Sequence, residues 1–94
     1  MKDTIIFNLK REWYDKIVSG QKAVEYRNQS THWIARLTDG GGRFRGFKYA
    51  EFRLGYTKRG AIRRAITNID IGPCPYDGWH GNYFRIHFKN KKER

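Results

Sequence analysis

Between Lys10 and Arg27 the chain changes its hydrophobic period, and a glycine marks the change. Trp13 and Ile17 stand four residues apart, as do Tyr14 and Val18, which places them in one stripe of a helix over Lys10–Ser19, beside Arg11, Asp15 and Lys16. Gly20 follows, where a residue free to take the left-handed conformation ends a helix without a side-chain clash. From Ala23 to Arg27 the period becomes two, so Ala23, Glu25 and Arg27 share one face of a strand while Val24 and Tyr26 take the other. Lys22 falls in the opposite pleat phase unless a bend after Gly20 turns it toward Glu25 and Arg27. The three charges read either as a site or as a surface network worth only about 0–1 kcal/mol per exposed pair.

Around this unit the other elements are short. Thr4–Leu9, with Ile5-Ile6-Phe7, is apolar and β-branched enough for a strand. Ser30 caps a helical turn bearing Trp33, Ile34 and Leu37, and Thr38–Gly42 is a flexible break. Phe47–Tyr56 reads as a long or bulged strand, because Phe47 and Tyr49 alternate in one phase and Phe52 and Leu54 in the other. Ala65–Ile71 is a further strand, broken by Gly72-Pro73-Cys74-Pro75, with a loop running on to Asn82. Tyr83–Phe88 alternates cleanly, with Phe84, Ile86 and Phe88 toward the core, and Lys89–Arg94 is a polar end that frays. Several short strands with two short helices predict an α+β fold, a small curved sheet or β-barrel with short flanking helices, in a single domain spanning residues 1–94.

Charge narrows the partner. Twenty Lys and Arg against nine Asp and Glu give a formal charge of +11, while six Phe, six Tyr and three Trp argue for a folded chain and not a basic tail. Nucleic acid is the leading partner class. The chain has no apolar run near the roughly 20 residues a spanning helix needs, and no signal peptide at Met1-Lys2-Asp3, so a cytoplasmic protein with no membrane partner is expected. Cys74, the single cysteine, cannot form an intrachain disulfide, which fits a reducing compartment.

The run Ile17-Val18-Ser19-Gly20-Gln21-Lys22-Ala23-Val24-Glu25-Tyr26-Arg27 resembles the I-x-x-G-x-K-x-x-E-x-R signature of the ASCH family, a branch of the PUA-like superfamily. The likeness extends to the opening strand, the Arg27–Ser30 turn, the Gly55-Tyr56 strand end and the last strand. It implies a PUA-like β-barrel and a cleft for RNA or a modified nucleoside, with Lys22, Glu25 and Arg27 as catalytic candidates. Two activities follow from the resemblance. One is ribonuclease cleavage of single-stranded RNA with a divalent Mg or Mn ion, in which Glu25 activates water or shares the metal while Lys22 and Arg27 stabilise charge on phosphate oxygens. The other is amide hydrolysis on an acylated cytidine. In that branch a threonine, the nucleophile, occupies the Glu25 position, and a glutamate lies on a later strand, where Glu51 or Asp70 is the available acid. A carboxylate cannot take over the hydroxyl's role unchanged. A third reading is a non-catalytic interaction module.

Basic and aromatic residues interleave elsewhere. Arg45, Lys48 and Arg53 alternate with aromatic residues that either stack on bases or belong to the core. Lys58, Arg59, Arg63 and Arg64 form a dense positive run that reads as a phosphate contact or as a solvated face. Tyr56, Trp79 and His80 join Lys22, Arg27 and these cations as nucleic-acid-binding candidates, with Tyr76 beside Trp79 as a wall against a base or as a plug. His32, Cys74, His80 and His87 have no zinc spacing, no metal site can be specified, and no Walker or Rossmann pattern suggests a tightly bound cofactor.

Overall fold

Alternation along the strands sets the interior. The computed structural model describes residues 3–57 and 60–90. In β1 (Thr4–Leu9) Ile5, Phe7 and Leu9 are buried, and in β3 (Tyr49–Leu54) Ala50 and Phe52 are buried on the same side of the sheet. β5 (Asn82–Phe88) adds Phe84, Ile86 and Phe88 as expected. α1 (Arg11–Val18) contributes Ile17, and α2 (Thr31–Leu37) contributes Leu37. Aromatic stacking knits the layers, with Phe7 ring centres 5.8 Å from Phe52 and 5.3 Å from Trp33, and Phe52 4.9 Å from Phe88.

The strands form one mixed sheet in the order β1-β3-β4-β5-β2, where β2 is Val24–Arg27 and β4 is Ile62–Pro73. β1 and β3 run parallel and the other pairs antiparallel. β4 is the strand shared by both halves. Its Ile62–Ala65 stretch pairs with β3, its Ile66–Pro73 stretch pairs with β5, and the register shifts between Ile66 and Asn68 where the partners change.

This topology corrects the expected β-barrel. β1 and β2 are the two edges, no ladder joins them among the described residues, and the sheet is neither closed nor curled. Closure would need edge backbone to pair with edge backbone. Here a side chain makes the approach, Arg27 Nη2 reaching the carbonyl of Asn8 at 3.4 Å. The PUA-like assignment falls with the barrel, and so does the resemblance to the ASCH family. What stands is an α+β fold with two short helices on an open five-stranded sheet.

Element bounds differ where long-range pairing overrides local signals. β4 continues through Gly72 and Pro73, which the sequence marks as a break. Pro73 is tolerated because this half of β4 pairs only with β5, so its missing N–H falls on an unpaired edge. Phe47 lies outside β3, which removes the phase conflict that suggested a bulge. No helix among the described residues is long and apolar enough to cross a membrane. Lys58, Arg59 and the tail beyond Asn90 lie outside the described residues.

Candidate functional site

The helix-to-strand turn builds the site. Ser19 closes α1, and Gly20 follows with φ +86° in the left-handed region. Gln21 and Lys22 then donate their backbone N–H groups to the Lys16 carbonyl at 2.9 and 3.1 Å. This wraps the chain under the helix end and supplies the bend that Lys22 needs. Lys22 Nζ lies 2.7 Å from Glu25 Oε1, and Arg27 Nη2 lies 2.7 Å from Glu25 Oε2. With that bend, the three residues converge on one concavity.

The set is not a surface network. Lys22 is 8% exposed and Glu25 4% exposed. Glu25 stands opposite Ile86 on the core-facing side of β2, so its carboxylate has left water and is held by two cations. Each cation also rests on aromatic rings. Lys22 Nζ is 4.7 Å from the ring centre of Trp13 and 5.8 Å from that of Tyr76. Arg27 Cζ is 5.0 Å from Phe7 and 4.9 Å from Trp33. Arg27 Nε is buried with no hydrogen-bond partner among the described residues.

The concavity has a volume of about 230 Å³. Trp13, Tyr76 and Trp79 line it together with the charged residues. Tyr76 packs 5.0 Å from Trp13, 5.4 Å from Tyr26 and 5.6 Å from Trp79. Burial pushes the Tyr76 hydroxyl above its ordinary pKa, with the neighbouring Tyr26, Cys74 and Glu25 acting in the same direction. Burial likewise raises Tyr26, with Cys74 and Asp70 adding to it and Arg85 opposing. Both phenols therefore stay protonated and available as donors at neutral pH. Trp79, 37% exposed, also lines an adjoining hollow of about 410 Å³ with Tyr26, Arg27 and Trp33.

The remaining candidates distribute unevenly. Arg53 and Tyr56 line a groove of about 540 Å³ that also includes Arg27, and Arg45 lines another of about 590 Å³. Tyr56 is 91% exposed. Lys48, Arg63 and His80 are exposed but line none of these four concavities. Arg63 lies over the Tyr49 ring at 5.1 Å. Arg64 is 5% exposed on the core-facing side of β4, where burial lowers its pKa against an opposing effect of Tyr14, and its Nη1 donates to the Arg63 carbonyl at 3.1 Å. That burial takes Arg64 away from any open basic face.

Sequence reading missed Trp13, Trp33 and Arg36. Trp13 sits in the helical stripe and looks like core, and only the Lys22 ammonium above its ring shows its second use. Trp33 and Arg36, three apart on α2, carry the signal of a shared helix face.

The candidate acids of the chain are engaged by cations. Glu25, the acid of the cleft, has both oxygens on cations at 2.7 Å, and no group of three or more His, Cys, Asp or Glu among the described residues could hold a metal ion. Glu51 is engaged by Arg53 at 2.6 Å, and Asp70 by Arg85 at 2.7 Å. Asp70 projects from the outer face of the sheet with Arg85, its cross-strand partner, and not from the face that carries Glu25. Comparison with family models, with curated proteins and with solved structures finds no match for the chain.

Proposed function

We propose that the protein binds single-stranded RNA, seating one unstacked base in the concavity beside Lys22, Glu25 and Arg27. The observation that supports this most directly is a buried lysine and a half-buried arginine sharing one buried carboxylate among aromatic side chains. Glu25 against Lys10, Lys22 and Arg27 leaves the pocket net cationic, which favours an anionic ligand. Trp13, Tyr76 and Trp79 offer flat faces that stack on a base only when it is free of a duplex. At about 230 Å³ the hollow is smaller than the roughly 300–1,000 Å³ of sites for drug-sized ligands, so it takes one planar fragment of a longer chain.

The geometry favours recognition over hydrolysis. A general base needs a carboxylate oxygen free to take a proton, and a metal bridge needs one free to coordinate, whereas both Glu25 oxygens are held by ammonium or guanidinium groups. Glu25 acts as the anchor that positions Lys22 and Arg27. The cleavage and deacylation readings receive no comparable support.

Titration of the protein with labelled single-stranded RNA, duplex RNA and single-stranded DNA, with and without Mg, tests the proposal. Saturable binding to single-stranded RNA, a change in tryptophan fluorescence, weakening with salt and intact RNA after incubation are expected. Equal binding to duplex, or insensitivity to salt, overturns it. Metal-dependent products that disappear in Glu25→Gln would restore the nuclease reading.

A further inference from the structure

The pocket opens onto a surface that it does not itself explain. Arg27 is shared by the base pocket and the 540 Å³ groove, where Trp33, Arg36, Arg53 and Tyr56 join it at the open edge of β1. Arg36 is shared in turn by that groove and the 590 Å³ one, where it meets Arg45. The concavities therefore follow one another, with an arginine at each junction. Neither groove has an acidic residue in its lining, in a chain with nine Asp and Glu. Arg53 is paired with Glu51, but Arg36 and Arg45 are exposed and are in no ion pair among the described residues. Arg36 Cζ lies 5.9 Å from the Trp33 ring, whose centre is also 4.9 Å from Arg27 Cζ, so one indole supports both cations.

We propose that these two grooves form a track carrying the sugar–phosphate backbone of the strand from the base pocket past the β1 edge and across α2. Arg36 and Arg45 take successive phosphates, and the exposed Tyr56 ring offers a stacking face for a flanking base. The proposal rests on the reading that the pocket seats a base of single-stranded RNA. An aromatic face beside a lane of arginines, two of them in no ion pair among the described residues, fits a ligand with alternating planar and anionic units. An acidic peptide would use the cations and leave the rings idle.

The test compares two variants on one oligouridylate of about eight nucleotides, within the roughly 4–16 nucleotides that single-strand-binding OB folds engage. Trp79→Leu reports on the pocket, and Arg36→Gln/Arg45→Gln on the track. All three changes are at exposed positions, and circular dichroism with thermal melting checks that each variant folds. Loss of affinity in both, with the double variant weakened at least tenfold near 0.1 M salt and its log–log salt slope shallower by about 1.4, supports the track. Loss in Trp79→Leu alone leaves the pocket and overturns the track. Loss in the double variant alone overturns the pocket, and the track as a continuation of it. Affinity unchanged in both overturns the two together.

Discussion

Lys22 Nζ and Glu25 Oε1 are 2.7 Å apart in a place that water scarcely reaches, and a second cation, Arg27, holds the other oxygen of the same carboxylate. The consequence is an asymmetry between the partners. Removing Glu25 strands the buried Lys22 and the half-buried Arg27, whereas removing Lys22 leaves Glu25 still paired with Arg27. Breaking a buried pair costs about 3–5 kcal/mol when a charge is left uncompensated. Glu25→Ala should therefore lower unfolding stability by about 3 kcal/mol or more, and Lys22→Met by clearly less, as read from urea denaturation midpoints. Equal losses would show that Arg27 does not compensate.

Ser30 supports the site from a distance. Its Oγ accepts the Trp33 backbone N–H at 3.3 Å, capping a helix of only seven residues that carries Trp33 against Arg27. Loss of such a cap costs about 1 kcal/mol. Ser30→Ala should lower the melting temperature by about 4–8 °C, as for other domains of this size. Replacement by Asp, which caps as well as serine, should restore it.

The candidate site was more legible than the fold because it is built from neighbours in sequence. Gly20 ending the helix, and Glu25 and Arg27 two apart on a strand, are local facts, and three charges within six positions meet whatever the sheet does around them. The order β1-β3-β4-β5-β2 is set by pairings across tens of residues, and alternating strands have the same pattern in an open sheet as in a closed one. Hence the barrel was expected and an open sheet found. Arg64 misled for a related reason. As one of a basic run it looks solvated, but its pairing opposite Ala50 turns it to the core side beneath α1. Trp79 was readable only as an aromatic in a loop, since Trp13, which it meets across the cleft, comes from a distant segment.

Acid should act through Asp70. Its carboxylate accepts from Arg85 Nε at 2.8 Å and Nη2 at 2.7 Å, and His87 Nε2 lies 3.0 Å away. The Arg85 hydrogen bonds chiefly, opposed by burial and aided by His87, lower its pKa from 3.8 to about 2. A group that ionises more readily in the folded state adds stability above its unfolded pKa and loses it as pH falls through the folded one. The deficit of Asp70→Asn relative to wild type should thus be full above about pH 4 and shrink toward pH 2. Denaturation at several pH values measures it. A deficit that persists unchanged to pH 2 would mean that the charge of Asp70 is not its source.

Gly72 has no room for a side chain, and the reason lies across the strand. A Cβ there would stand 2.5 Å from Arg85 Cζ and 2.8 Å from both terminal guanidinium nitrogens. A flexible arginine tip would ordinarily swing away, but two hydrogen bonds tie this one to Asp70. Gly72→Ala therefore forces a choice between steric overlap and loss of the ion pair, and should destabilise the fold. Nothing in the backbone forbids alanine, since Gly72 is not among the glycines with positive φ. In a strand, alanine is otherwise favoured over glycine by about 0.5–1 kcal/mol. With Arg85→Ala as background, the obstacle is gone and Gly72→Ala should turn neutral or stabilising. A double-mutant cycle with that change of sign assigns the glycine to Arg85, and the same penalty in both backgrounds would assign it to the strand itself.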